Sequence, residues 1–191
     1  MNRLIATIRN LIQISADEEV ILNGLFKPLE VNAGEYFLEE GQLCRYIGFI
    51  EEGLVRYHMN DNGSQKTLYF SKEGEFVSNY QSFLPREPSN TSIQAIEDTA
   101  LQVINYENLQ RLYSGVREGE KLGRLAIENV FLNSLQQLKS FYKDSPTARY
   151  QQFLRSYPSL VQRIPQYHIA SYVGIKPQSL SRIRKRMVTQ K

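Results

Sequence analysis

Residues 176–186 read KPQSLSRIRKR. This run holds five cations (Lys176, Arg182, Arg184, Lys185 and Arg186), two hydroxyls (Ser179 and Ser181) and one amide (Gln178), with no carboxylate. An arginine fork matches the two acceptors of guanine or a phosphate, a glutamine matches adenine, and hydroxyls serve either. The chemistry these residues offer is recognition of a polyanion. His168, just upstream, is expected to touch a phosphate or solvent.

Other chemistries find little support. The only two histidines, His58 and His168, lie 110 residues apart, so a metal held by histidines on neighbouring strands is not expected. Cys44 is the single cysteine, which excludes an intrachain disulfide and a cysteine-bound zinc or iron–sulfur cluster. Glu39, Glu40, Glu51 and Glu52 could supply carboxylates, but nothing pairs them with a nucleophile or a phosphate loop. No enzyme, no metal and no cofactor is expected.

The charge distribution agrees with a polyanion partner. Residues 145–191 carry nine Lys or Arg and no Asp or Glu, a charge of +9, whereas the preceding 144 residues sum to −6. Such sorting concentrates a positive field in about a quarter of the chain. No apolar run reaches the ~18 residues that a membrane span requires, and the N-terminal residues make a poor secretory signal. A cytoplasmic location without membrane attachment is the default expectation.

The elements that must hold the basic run can be read around it. With Gln166 as the first position of a helix–turn–helix, Ile169 and Val173 face the core and Ala170 sits where the helices cross. Gly174 takes the tight turn, Ile175 plugs it, and Leu180 and Ile183 anchor the second helix. Pro177 suits the first turn of that helix. Gln178, Ser179, Ser181, Arg182 and Lys185 then point outward, and Lys176 occupies the N-cap beside a bare helix end that could take a phosphate. Upstream, Ser145 and Pro146 start a short helix, and YPSLVQRIPQ leaves room for only a small hairpin or a turn.

Residues 117–142 form a long helical pattern that is apolar on two sides. Leu122, Leu125 and Leu132 make one stripe; Ile127, Val130 or Phe131, Leu138 and Phe141 make another. A helix apolar on two sides must be buried on two sides, either as the central helix of a monomer or, the preferred reading, between its own β domain and a second copy of the chain. Between about Leu29 and Ile104, short apolar segments alternate with turn residues, which suits a β roll or sandwich. Tyr46–Ile50 and Leu54–Met59 read as strands, and Asp61-Asn62-Gly63 as a hairpin turn. Ahead of these, residues 4–26 read as two helices, the second opened by a capping box of Ser15 and Glu18.

The sequence as a whole resembles the Crp/Fnr family of bacterial regulators. The resemblance runs from VNAGEYFLEEGQLCRYIGFIEEGLVRYH through SIQAIEDTALQVI to RIPQYHIASYVGIKPQSLSRIRKRM, the last looking like the branch found in Bacteroidetes-type bacteria. It implies an α+β fold: a jelly-roll-like sensor domain over 1–115, a dimerisation helix over 116–143, and a winged helix–turn–helix over 144–191. It also implies a homodimer on double-stranded DNA, RNA polymerase as a further partner, and a small-molecule effector not yet identified. In the first turn of the recognition helix only Ser181-Arg182 matches the family's usual Arg-Glu-Thr-Val-Ser-Arg. Arg182 is therefore the expected guanine reader, and the family's usual operator should not be assumed.

The family's cyclic-nucleotide cassette runs from Gly-Glu to an Arg-Ser-Ala-Thr that grips the cyclic phosphate. Gly74-Glu75 is present here, but the arginine position is Ser89, with Asn90 beside it, and Arg86 lies nearby out of register. A cyclic nucleotide is thus disfavoured. The alternative is a ligand-binding or docking module whose basic C-terminal domain binds nucleic acid without sequence preference.

Overall fold

A computed structural model describes residues 3–189. The chain divides into two compact units. The first comprises residues 1–59 and 69–130; the second comprises residues 60–68 and 131–191.

The first unit opens with α1 (Arg3–Leu11) and α2 (Ala16–Leu25). The expected capping box is formed: the Ser15 hydroxyl accepts from the Glu18 N–H, and the Glu18 carboxylate accepts from the Ser15 N–H. Eight strands follow: β1 (Lys27–Val31), β2 (Tyr36–Leu38), β3 (Tyr46–Glu52), β4 (Leu54–Asp61), β5 (Ser64–Lys72), β6 (Phe76–Val77), β7 (Ser92–Ala95) and β8 (Thr99–Asn105). A short helix, α3 (Tyr80–Phe83), interrupts them, and α4 (Tyr106–Gly115) follows β8. The strands form two four-stranded sheets in the orders β1-β8-β3-β6 and β2-β7-β4-β5.

Alternation along β4 sends Val55 and Tyr57 to the interior, where they join Phe49, Ile93, Ala95 and Leu101. The β3–β4 turn depends on Gly53, whose φ is +106°. A Cβ there would lie 2.6 Å from the Thr99 backbone, so no other residue fits. At the other end of β4, Asn62 and Gly63 both have positive φ, the geometry of a type I′ hairpin turn.

Arg56 and His58 face away from that interior and are nevertheless buried. The Arg56 guanidinium donates to Gln94 Oε1 at 2.9 Å, and the His58 ring lies 6.1 Å from the Tyr36 ring. Among the described residues, neither His58 nitrogen finds a hydrogen-bond partner. Burial, with the Arg56 charge second, lowers the His58 pKa to about 4. The folded state therefore holds a neutral ring, while an unfolded histidine titrates near 6.5. Stability is fully present above that value and falls as the pH drops from about 6.5 towards 4. The expected loss is about 2–3 kcal/mol, read as a lower urea midpoint at pH 4.5 than at pH 7. His58→Leu should remove this component.

Helix α5 (Gly119–Lys143) runs from the first unit into the second. Leu122 is 5% exposed and belongs to the core of the first unit with Leu109, Leu112 and Val116. The expected stripe of Leu122, Leu125 and Leu132 is corrected accordingly. Leu122 faces the roll core, Leu125 is half-buried, and Leu132 is exposed on the flank of another face. That face carries Ile127, Val130, Phe131, Leu135, Leu138 and Phe141 at spacings of three, four and seven, all exposed in the single chain.

In the second unit, α6 (Pro146–Ser156), α7 (Gln166–Val173) and α8 (Pro177–Thr189) follow α5. They enclose a separate core of Tyr150, Phe153, Tyr157, Leu160, Ile164, Ile169, Ala170, Val173 and Leu180. Ser145 caps α6 through the Ala148 N–H, with Pro146 at the first position. Of the two forms open to YPSLVQRIPQ, the chain adopts turns, and no strand follows α5 among the described residues.

Candidate nucleic-acid interface

The turn between α7 and α8 is built as its residues require. Gly174 has φ +76°, its N–H caps α7 by donating to the Ala170 and Ser171 carbonyls, and the Ile175 N–H donates to Ala170 O at 3.0 Å. A Cβ on Gly174 would approach the Phe141 ring to 3.1 Å. Gly174→Ala combines that crowding with left-handed strain and should cost about 1–2 kcal/mol. Thermal unfolding of the full chain checks this.

Helix α8 starts at Pro177, and the Lys176 carbonyl accepts from the Ser179 and Leu180 N–H groups. Leu180 is fully buried and Ile183 half-buried on one side. The opposite side presents Gln178, Ser181, Arg182 and Lys185, all exposed, at the i, i+3, i+4 and i+7 spacing of a single helix face. This row is about 10 Å long, within the reach of a major groove about 12 Å wide. Lys176, Arg184 and Arg186 are exposed beside it, and Ser179 is half-exposed. The Ser181 hydroxyl donates back to the Pro177 carbonyl at 3.2 Å, leaving its oxygen able to accept.

Two residues of the basic segment stand elsewhere. His168 is buried at 7% exposure, its ring 4.0 Å from that of Tyr167. It is a core residue of α7, and the expected phosphate contact is corrected. Arg149, counted in the positive field by sequence, is held internally. Its Nε donates to the Val173 carbonyl at 2.8 Å, its Nη1 donates to the Asp144 carbonyl at 2.8 Å, and its guanidinium lies over the Phe141 ring. It caps the C-terminal end of α7, a role that no local pattern announces.

The residues considered for an effector all lie in the first unit. Gly74 has φ +84° and forms the β5–β6 turn, donating to the Ile50 carbonyl. Beside it, Glu75 Oε2 accepts from the Lys72 N–H at 3.3 Å. Burial raises the Glu75 pKa against the opposing pull of Lys72 and of Ser71, whose hydroxyl also reaches Tyr57. Tyr57 in turn stands edge-on to Tyr69 and accepts from the Ser78 N–H. Ser89 is consumed by structure: its hydroxyl accepts from Asn79 Nδ2 at 2.7 Å and donates to the Thr91 carbonyl at 2.6 Å. Asn90 accepts from the Thr91 hydroxyl.

Arg86 adopts a left-handed backbone (φ +59°), pairs with Glu107 at 2.7 Å and covers the Tyr106 ring. With Arg45 it lines a cavity of about 350 Å³, next to a second of about 400 Å³ along Phe37–Tyr46. The charged side chains that act on Glu75 are Lys72 and Glu73.

Residues 28–115 match the cyclic nucleotide-binding domain family. Over most of its length the chain shares its fold with solved structures of Crp/Fnr-type regulators. FixK2 from Bradyrhizobium japonicum is 14% identical, with 86% of this chain and 85% of that one covered at a TM-score of 0.76. The c-di-GMP-responsive global regulator CLP of Xanthomonas campestris is 14% identical over 92% of this chain and 93% of its own, at 0.72. TTHA1359, a Crp/Fnr-family regulator from Thermus thermophilus, is 16% identical over 86% and 87%, at 0.64. No curated protein matches the sequence significantly. Among the described residues, no helix is long and apolar enough to cross a membrane.

Proposed function

We propose that this protein is a sequence-specific DNA-binding transcription regulator that acts as a homodimer and not as an enzyme. The reading assigns residues 1–115 to a sensor domain, 116–143 to a dimerisation helix and 144–191 to DNA binding. The observation that carries it is the face of Gln178, Ser181, Arg182 and Lys185 on α8, exposed opposite a buried Leu180 and flanked by further cations. Such a face offers side chains to base edges at its centre and to phosphates at its margins. The exposed apolar stripe of α5 supports pairing of two copies, since a stripe of that size on a single chain needs a cover.

The effector of this reading is not cyclic AMP bound in the family's usual way. Ser89 stands at the phosphate-binding arginine position, and its hydroxyl is already shared between Asn79 and Thr91.

Selection from a random double-stranded DNA pool tests the function. The expected product is a two-fold symmetric site whose halves lie about one helical turn apart. Salt-sensitive binding without any enriched sequence would instead indicate a non-specific docking module.

A further inference from the structure

Strand β5 lies at the edge of its sheet, and an edge strand leaves alternate N–H and C=O groups without a strand partner. At the start of β5, which belongs to the second unit, one side chain answers two such groups. The Ser171 hydroxyl of α7 accepts from the Thr67 N–H at 2.8 Å and donates to the Gln65 carbonyl at 3.2 Å. These are residues i and i+2 of the strand, so the hydroxyl stands where a neighbouring strand would. A second tie holds the same stretch, from Gln137 Nε2 on α5 to the Leu68 carbonyl.

The flanks of Ser171 are fixed by other means. Ala170 and Val173 are buried, Tyr172 lies in an aromatic cluster with Phe153 and Tyr157, and Arg149 holds the Val173 carbonyl. The α7 helix is thus fastened to α6 by packing and to the hairpin tip by the Ser171 hydroxyl. Helix α8, which carries the proposed reading face, is packed on α7 in turn. We infer that Ser171 is a positioning residue for DNA recognition. By seating α7 on the β5 edge it fixes α7, and through it α8, before DNA arrives. A helix pair already fixed loses less freedom on binding, and affinity rises accordingly.

This inference rests on the DNA-reading assignment of α8. Its test uses the full-length dimer, the DNA site recovered by selection, and the variants Ser171→Ala and Ser171→Thr. Alanine is the stronger helix former, so α7 itself is not weakened. Threonine keeps the hydroxyl.

In Ser171→Ala, amide exchange at Thr67 should accelerate at least about tenfold and affinity for the selected site should fall about tenfold, with an unchanged thermal midpoint. Ser171→Thr should restore both exchange and affinity. Faster Thr67 exchange with unchanged or tighter DNA binding overturns the positioning role, and unchanged exchange shows that the contact is not made in solution. If instead the unmodified protein selects no DNA site, the reading of α8 fails, and Thr67 exchange still reports whether the hairpin is seated.

Discussion

Leu138→Glu should leave a folded monomer that binds the operator at least about a hundredfold more weakly than the parent chain. Leu138 lies in the middle of the exposed α5 stripe and is itself 53% exposed in the single chain. Removing it therefore takes little from either core, and glutamate is a good helix former. In the proposed dimer the stripe forms the pairing surface, where carboxylates introduced on both copies would be desolvated without partners. The loss is large because a dimer gains its second half-site as an intramolecular event, an advantage of about 10²–10⁴ in affinity. Sedimentation velocity reads the assembly state and a DNA titration reads the affinity. A dimer surviving the substitution would place the pairing surface off this stripe.

Arg182→Ala should weaken binding to the selected site by about 1–3 kcal/mol and relax preference at one base pair. Arg182 is exposed at the centre of the α8 face, and among the described residues its local tie is a long 3.5 Å contact from Nε to the Gln178 carbonyl. Its fork is therefore available for a base edge. Arg184→Ala, on the flank, should instead weaken all sequences alike and lower the salt slope by about one unit. Titrations on the selected site and on scrambled DNA at two salt concentrations separate the two behaviours. If the two variants behave alike, the assignment of reader and phosphate contact along α8 is wrong.

What could be read from the sequence was local. The Ser15–Glu18 capping box, the Ser145-Pro146 helix start, the Asn62-Gly63 turn and the left-handed Gly174 each depend on a few adjacent residues, and each formed as expected. The helix–turn–helix register was legible for the same reason, because 3.6-residue periodicity and one obligatory glycine specify it. What escaped depends on partners distant in sequence. His168 looks like a surface residue until the packing around α7 buries it. Leu122 looks like part of a pairing stripe until the roll core claims it. Arg149 counts as free charge until the Val173 and Asp144 carbonyls take it up. The Ser171 hydroxyl finds its partners more than a hundred residues away, on a strand edge whose position depends on the order of the whole sheet.

The division of labour on α8 has an evolutionary consequence. Its anchors, Leu180 and Ile183, face inward, whereas Gln178, Arg182 and Lys185 are exposed and project away from the core. Substitutions at such exposed positions usually shift stability by no more than about 0.5 kcal/mol. On the proposed reading of α8, operator preference can thus drift while the scaffold stays intact. Two copies of the gene that diverge after duplication could acquire separate target sets through changes at these few positions, with no compensating repair elsewhere in the fold.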